Sequence, residues 1–160
     1  METTLTTVEI LDYQPSFKED FKNLNLEWIT QFFKLEETDR ALLDDPETHI
    51  IEKGGFIFFA KVDGKIVGTA ALLRESNKLY EIAKMAVTPQ YQGRHIGKLL
   101  LQKGIDKAKS VAAKQVYLTT STKLKTSLEM YRTHGFREAP FDPEMSVYEG
   151  SDVKMILNLK

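Results

Sequence analysis

The sequence contains no cysteine, which argues against a disulfide framework, a cysteine nucleophile and a cysteine-ligated zinc site. It also lacks a long apolar run: the longest uncharged apolar stretches, 54–60 and 66–73, fall far short of the roughly 20 residues that span a bilayer. Neither sign of charge is in clear excess, since the chain has 22 Lys and Arg and 23 Asp and Glu. We therefore expect no membrane-spanning segment, and neither nucleic acid nor an anionic membrane is an expected partner.

Length and composition predict one ordinary domain. The chain has 160 residues, of which 42% are hydrophobic and 28% charged, enough apolar material for a core and too little charge imbalance for a disordered chain. Because no repeat, low-complexity tract or linker interrupts it, we expect a single domain over residues 1–160. Residues 1–4 show neither a basic n-region nor an apolar h-region, so the default prediction is a cytoplasmic location.

Hydrophobic periodicity predicts alternating strands and helices. Asp63-Gly64 is typical of a tight hairpin, and this hairpin, a crossover helix and a final strand together imply a mixed α/β sheet. Residues 136–151 are predicted to be mostly loop. The expected strands are 6–13, 56–62, 65–73, 79–87, 115–120 and 153–159 with a short one at 136–138, and the longer helices are 96–112, 124–133 and one that starts near residue 16.

The first helix is predicted to carry aromatic residues on one face. Apolar residues recur there at three- and four-residue spacing as far as Phe33. Core packing is the expected role of Trp28, Phe32 and Phe33, and the wall of a cleft is the alternative.

The segment after the buried strand 79–87 indicates an anion site. Gly93 and Gly97 allow close approach of the main chain to a ligand, while Arg94 and Lys98 add positive charge at the start of a helix. The alternative is an ordinary helix start with a solvated basic edge. Neither Gly-x-Gly-x-x-Gly nor Gly-x-x-x-x-Gly-Lys-[Ser/Thr] is present, which disfavours a dinucleotide or a nucleoside triphosphate as the ligand.

Two motifs carry a resemblance to a known family. Residues 85–100, MAVTPQYQGRHIGKLL, contain a close match to the Gln/Arg-x-x-Gly-x-Gly/Ala loop, and residues 118–136 contain Leu-x-Thr and Leu-x-x-Tyr-x-x-x-Gly-Phe at the matching separation. In both respects the chain resembles the GNAT superfamily of acyl-CoA-dependent N-acetyltransferases. The likeness covers about residues 56–138 well and the ends loosely.

The resemblance implies a fold and a cofactor. The implied GNAT, or acyl-CoA N-acyltransferase, fold has a central, mostly antiparallel sheet with a splayed parallel strand pair, flanked by helices. Acetyl-CoA is the implied co-substrate, and its pantetheine arm would pair with the strand that ends at Val87 as a borrowed strand. No metal is expected. The resemblance places cofactor binding at Met85, Ala86, Val87, Gln92, Gly93, Arg94, His95, Ile96, Gly97 and Lys98.

Two positions depart from the family pattern. His95 stands where the loop has its first small residue, and its ring either crowds the pyrophosphate or turns outward and donates a hydrogen bond to it. Leu124 stands where many members carry an asparagine that holds the pantetheine, and the candidates to replace that asparagine are Ser121, Thr122 and Ser127.

The implied reaction needs a base, an acid and an oxyanion donor. An alkyl amine has a pKa near 10, so a group must take its proton at neutral pH, and Glu81 occupies the position of the acidic base in related histone acetyltransferases. We expect Glu81 to share a strand face with Ala83, Met85 and Val87. Tyr131 is the candidate acid for the CoA thiolate, and the N–H of Val87 is the candidate oxyanion donor. The alternatives are a solvated or ion-paired glutamate and a core tyrosine.

These inferences predict an N-acetyltransferase that moves an acetyl group from acetyl-CoA to a primary amine by direct attack in a ternary complex. The acceptor is a small-molecule or peptide amine, and a homodimer is left open. One alternative is a non-catalytic acyl-CoA-binding or sensing domain of the same fold. The other is a nucleotide-binding interaction module.

Overall fold

The computed structural model describes residues 7–32, 37–141 and 152–159, without the side chains of 30–32 and 37–39. Phe33 and most of the predicted loop 136–151 lie outside these ranges, and so does the side chain of Phe32. The strands are β1 (Val8–Asp12), β2 (Phe56–Val62), β3 (Lys65–Arg74), β4 (Leu79–Val87), β5 (Gln115–Thr120), β6 (Arg137–Ala139) and β7 (Val153–Asn158). The α-helices are α1 (Lys18–Phe32), α2 (Glu37–Asp44), α3 (Ile96–Ser110) and α4 (Lys125–Thr133).

The strands form a seven-stranded sheet in the order β1-β2-β3-β4-β5-β7-β6. Every neighbouring pair is antiparallel except β4 and β5, which are parallel. They are parallel because α3, which connects them, returns the chain to the end of the sheet at which β4 begins. Asp63 and Gly64, which join β2 to β3, have φ values of 50° and 80° and so form the predicted tight turn. The predicted mixed sheet with one parallel pair, flanked by helices, is confirmed.

Both faces of the sheet are buried, each against its own set of helices. Alternate residues of β2 separate the two cores: Phe58 and Ala60 pack with α3 and α4, while Ile57 and Phe59 pack with α1 and α2. Helix α3 lies close to the sheet, since a Cβ added to Gly104 would be 3.4 Å from Ile82 Cδ1. In the ranges that the structure covers, no helix has the length and apolar character needed to cross a bilayer.

A β-bulge interrupts β4 in its second half. Ala83 pairs with Ala71 of β3, but Ala86, three residues later, pairs with Thr69, only two residues from Ala71. One extra residue is therefore accommodated in β4, and Lys84 takes up the irregularity in a left-handed conformation with φ of 55°.

The bulge overturns one expectation from the strand period. Leu73 and Thr69 lie on one face of β3, so their partners Glu81 and Ala86 share a face of β4, whereas Val87 pairs with Gly68 and belongs to the opposite face. Met85 and Val87 pack against the core on the α3 side. The prediction that Glu81 shares a face with Met85 and Val87 is therefore wrong, because a period of two fails across an inserted residue.

The two halves of the sheet separate beyond Glu81. The parallel ladder joins Leu79 to Gln115, Tyr80 to Val116 and Glu81 to Tyr117, and in the described structure no later residue of β4 pairs with β5. Residues 82–87 therefore form an open strand edge that faces a gap in the sheet.

Candidate functional site

A cleft of about 900 Å³ occupies the gap between the two halves of the sheet. It is lined by 81–87 of β4, by the connection and first turn of α3 at 91–98 apart from residue 94, by 118–120 of β5 and by much of the segment 123–133. Trp28 of α1 closes one side, so the cleft wall that the sequence offered as an alternative is observed for this aromatic residue, which also packs against the α1 core. A cleft of this size holds a ligand considerably larger than a simple metabolite.

The start of α3 forms one end of the cleft and gives it the positive end of a helix dipole. Gly93 has φ of 80°, and His95, which precedes the helix, has φ of 65° and makes no side-chain capping bond. The first N–H groups of α3 thus point out of the helix end without a side-chain cap, where the helix dipole is positive. Gly97 is open toward the opposite wall, since a Cβ added there would have Met130 Sδ at 3.7 Å as its nearest contact.

The open edge of β4 supplies main-chain groups to the middle of the cleft. Thr88 N–H donates to Val67 O across the β3–β4 pair, which makes the preceding pair of Val87 and Gly68 a non-hydrogen-bonded one. The N–H and C=O of Val87 consequently point away from β3, toward the edge of β4 that no longer pairs with β5. The carbonyl accepts a hydrogen bond from Gln92 Nε2 at 3.0 Å. The N–H is directed at the cleft.

Glu81 lies at the inner end of the cleft, at the last rung of the parallel ladder. Burial raises the pKa of its carboxyl to about 7, and the nearby Glu75 carboxylate adds to the rise. Lys84, a hydrogen bond from Tyr117 and Lys154 act in the opposite direction. A carboxyl with this pKa exchanges a proton readily at neutral pH, as a general base must.

Tyr131 lies on α4, in the wall that comes from the second half of the sheet. Its ring is partly buried and packs edge-on against Phe136, with ring centroids 6.0 Å apart. Gly135, with φ of 97°, ends α4 in the left-handed conformation predicted for it. The expected base and acid therefore line the same cleft from opposite halves of the sheet.

The structure brings most of the predicted cofactor residues together, with one exception. Arg94 does not line the cleft, because its guanidinium stacks over the ring of Tyr91 at 4.9 Å from the ring centroid. The side chain of Ile96 is buried in the core, so that residue offers its main chain. The predicted residues that do line the cleft are Glu81, Met85, Ala86, Val87, Gln92, Gly93, His95, Ile96, Gly97, Lys98 and Tyr131.

Of the three hydroxyl residues considered as replacements for an asparagine at Leu124, only one lines the cleft. Thr122 is held by Asp152, which accepts bonds from its N–H at 2.9 Å and from its hydroxyl at 2.8 Å. Ser121 is buried, and its oxygen accepts a bond from Lys123 N–H at 3.1 Å. Ser127 faces the cleft beside Leu124.

Sequence reasoning missed two features of the site. Lys84 is only 2% exposed although it lines the cleft, and Tyr117 is hydrogen-bonded to Glu81. A lysine within an otherwise apolar strand was a signal for the first. The second had no local signal, because 36 residues separate the two side chains in the chain. Among the residues that the structure describes, no group of three or more His, Cys, Asp or Glu side chains is placed to hold a metal ion.

A splayed parallel strand pair, a helix N-terminus at one end of the gap and an open strand edge along it form a cleft whose shape and polarity suit an extended anionic ligand. Comparison with known sequences identifies the class. The profile of the "Acetyltransferase (GNAT) family" matches residues 19–136, well over half of the chain. The chain belongs to the GNAT acetyltransferase family, whose members transfer an acyl group from acetyl-CoA.

Individual relatives agree with the family assignment. The chain is 29% identical over 107 residues to an uncharacterised N-acetyltransferase, YvbK, of Bacillus subtilis, covering 65% of this chain and 69% of that protein. It is 36% identical over 81 residues to the N-alpha-acetyltransferase RimI of Mycobacterium tuberculosis, covering 49% of each. The matched segment spans only 27% of the uncharacterised protein ML0378 of Mycobacterium leprae, at 31% identity over 100 residues. The chain thus spans half or less of the length of several curated relatives that it matches.

Solved structures extend the likeness to the whole fold. A GNAT-family acetyltransferase of Staphylococcus aureus superposes with a TM-score of 0.83 at 28% identity, covering 96% of this chain and all of that one. YncA of Salmonella typhimurium, solved with acetyl-CoA, superposes with a TM-score of 0.76 over 96% of this chain and 95% of that one, at 17% identity. At this low identity, the likeness to YncA shows a shared fold and no more.

Proposed function

We propose that this protein transfers an acetyl group from acetyl-CoA to a primary amine by direct attack in a ternary complex. The observation that carries the proposal is the cleft itself, in which an uncapped helix start, an open strand edge and a buried carboxyl with a pKa near 7 follow one another. These three parts suit the pyrophosphate, the pantetheine and the acceptor amine in turn. The amine acceptor is a small molecule or a peptide.

Each chemical step has a group in the cleft. Glu81 takes a proton from the acceptor, directly or through water, so that a neutral amine can attack the thioester carbonyl. The Val87 N–H donates to the oxygen that becomes negative in the tetrahedral intermediate. Tyr131 then protonates the departing thiolate, for which a phenol is an adequate donor because a thiol has a pKa near 8.5. The step balances because the ammonium nitrogen loses two protons: one goes to Glu81 before the attack, and the second leaves as the amide forms and restores the proton that Tyr131 gives to the thiolate.

A ligand comparison tests the cofactor. We expect acetyl-CoA and CoA to raise the melting temperature and NAD and ATP to leave it unchanged, since a specific ligand stabilises by about 2.7 kcal/mol at 100 times its dissociation constant. Stabilisation by ATP or NAD alone would contradict the proposal and favour a nucleotide-binding module.

An amine panel tests the reaction. With saturating acetyl-CoA and lysine, spermidine, 2-phenylethylamine or a Ser-Ala-Gly tripeptide, we expect amine-dependent release of CoA, measured with a thiol reagent. Acetyl-CoA binding without CoA release across a broad panel would instead identify a non-catalytic acyl-CoA-binding domain.

Filling the space at Gly97 should weaken cofactor binding. Gly97→Phe places a ring in the cleft between α3 and Met130, whereas the Cβ of Gly97→Ala meets an ordinary van der Waals contact at 3.7 Å. We expect titration calorimetry to show at least a tenfold rise in the acetyl-CoA Kd for Gly97→Phe and a much smaller change for Gly97→Ala. Melting temperatures near that of the parent show that both variants fold, and unchanged affinity in Gly97→Phe would refute the loop assignment.

His95→Gly separates the two roles left open for the imidazole. The left-handed backbone at His95 suits glycine, so the variant should be at least as stable as the parent. Because His95 is exposed, we expect its ring to turn outward and donate a hydrogen bond to the pyrophosphate, so that its loss weakens acetyl-CoA binding about threefold. Tighter binding in calorimetry would mean that the imidazole obstructs the site.

A further inference from the structure

Behind Glu81, away from the cleft, a tyrosine connects two carboxyl groups. The Tyr117 hydroxyl lies 3.3 Å from Glu81 Oε1 and 3.0 Å from Glu75 Oε1. Tyr117 is 6% exposed, Glu81 lines the cleft, and Glu75 belongs to the exposed turn between β3 and β4. The three side chains thus form a continuous hydrogen-bonded path from the inner end of the cleft to the protein surface.

The chemistry of a phenol gives this path a direction. Tyr117 has one hydroxyl proton, and an ionised carboxylate can only accept, so the hydroxyl cannot make a full hydrogen bond to two ionised carboxylates at once. When Glu81 is protonated, its O–H can donate to the Tyr117 oxygen while the Tyr117 O–H donates to Glu75. Both contacts are then satisfied, and the protonated state of Glu81 is the one that proton abstraction from an amine produces.

We propose that Tyr117 and Glu75 act through Glu81 as positioning residues that carry the proton taken from the amine to the protein surface at the turn between β3 and β4. The proposal rests on Glu81 being the base. The amine N–H bond breaks as a proton binds Glu81; the Glu81 proton passes to the Tyr117 oxygen as the Tyr117 proton passes to Glu75; and Glu75 releases a proton to water. Only protons are transferred along the path, and Glu81 is again ionised for the next turnover.

The charges around the path suit this transfer. Lys84 from β4 and Lys154 from β7 face Glu81, and both favour its ionised form. The Lys154 ammonium also lies 5.0 Å from the centroid of the Tyr117 ring. Glu75 acts in the opposite direction and raises the pKa of Glu81, whereas the hydrogen bond from Tyr117 lowers it. Burial and the neighbouring carboxylates raise the pKa of the Tyr117 hydroxyl, which keeps it protonated between transfers.

Two substitutions separate a relay from simple tuning of Glu81. Tyr117→Phe keeps the ring but removes the hydroxyl, and it should raise the pKa of Glu81, while Glu75→Gln removes a neighbouring negative charge and should lower it. Those shifts can be measured without substrate by carbon NMR titration of the labelled glutamate carboxyls. A relay predicts instead that both variants lose kcat at saturating substrate, about tenfold, because both interrupt proton exit.

The kinetic arm uses each amine of the panel above that shows turnover. We expect the Tyr117→Phe and Glu75→Gln losses to persist at pH 8.5 and the double variant to be no slower than either single variant, as for groups that act as one unit. Imidazole at tens of millimolar should restore part of kcat in both variants by accepting the proton through the cleft. Glu9→Gln, at an exposed carboxylate of the edge strand β1, is the matched control and should equal the parent.

Each contrary result has a distinct meaning. Parent-like kcat plateaus in Tyr117→Phe and Glu75→Gln, with only opposite shifts of the pH profile, would overturn the relay and leave Glu81 as a base that exchanges protons through the cleft. A parent-like rate in Glu81→Gln would remove the base and the relay together. Glu75 is exposed, so the Glu75→Gln variant remains informative even if Tyr117→Phe folds poorly.

Discussion

We expect Glu81→Gln to lower kcat/KM at pH 7 by about 10²-fold or more, the contribution typical of a positioned general base. Glutamine preserves the size of the side chain and one acceptor oxygen but cannot take a proton. In the parent, kcat/KM should rise with pH through about 7, the pKa of Glu81, because only the ionised carboxyl acts as a base. In the variant that inflection disappears, and part of the rate returns toward pH 10 as the amine loses its proton unaided.

The measurement is a pH–rate profile of kcat/KM for the two proteins between pH 6 and 9.5. Identical profiles would exclude Glu81 and leave water or another carboxyl as the base.

The same substitution should change stability in the opposite sense to activity. Because the pKa of Glu81 is raised on folding from 4.5 to about 7, the protonated carboxyl stabilises the fold fully below about pH 4.5, and that contribution is lost as the pH rises through 7. Glu81→Gln has no such loss. Chemical denaturation at pH 5.5 and pH 8 should therefore show that the free energy of unfolding of the variant increases relative to that of the parent at the higher pH, by at most about 2 kcal/mol.

Tyr131→Phe is expected to lower kcat about 10²-fold with little change in the melting temperature. The substitution removes one oxygen and keeps the ring that packs against Phe136. If Tyr131 protonates the thiolate, the loss falls on turnover rather than on binding, so the Kd for acetyl-CoA should stay near the parent value.

Tyr13→Phe is the matched control for the loss of a tyrosine hydroxyl. Tyr13 donates a hydrogen bond to Glu47 at 2.8 Å and does not line the cleft, so its variant should lose up to about 1 kcal/mol of stability at full activity. Full activity with lowered stability in Tyr131→Phe as well would show that Tyr131 is only a packed tyrosine.

The sheet was predictable because its signals are local. Strands β2, β4 and β5 begin and end where alternation and turn residues placed them, and Asp63-Gly64 set the hairpin between β2 and β3. The crossover from β4 through α3 followed from the glycine-rich segment between them. The family resemblance then added the splay of β4 from β5, which no periodicity indicates.

The parts that failed depend on contacts distant in sequence or on a break in a repeat. The predicted strand face of Val87 was wrong because nothing in the sequence of residues 79–87 shows that the strand contains a bulge, or where the bulge lies. The Arg94 side chain was expected at the phosphate end, but its stacking on Tyr91 competes for the guanidinium. The contacts of Tyr117 with Glu75 and Glu81 arise only when β5 docks beside β4, so no local pattern announces them.

The extra residue of β4 also limits which insertions and deletions the chain can tolerate. Deletion of Lys84 would remove the bulge and leave Glu81 and Val87 five positions apart, so strict alternation would keep them on opposite faces and opposite their present β3 partners. One further residue between Glu81 and Val87 would instead need a second bulge, or would move one of the two out of register with β3. The strand between Glu81 and Val87 can therefore lose one residue more readily than it can gain one.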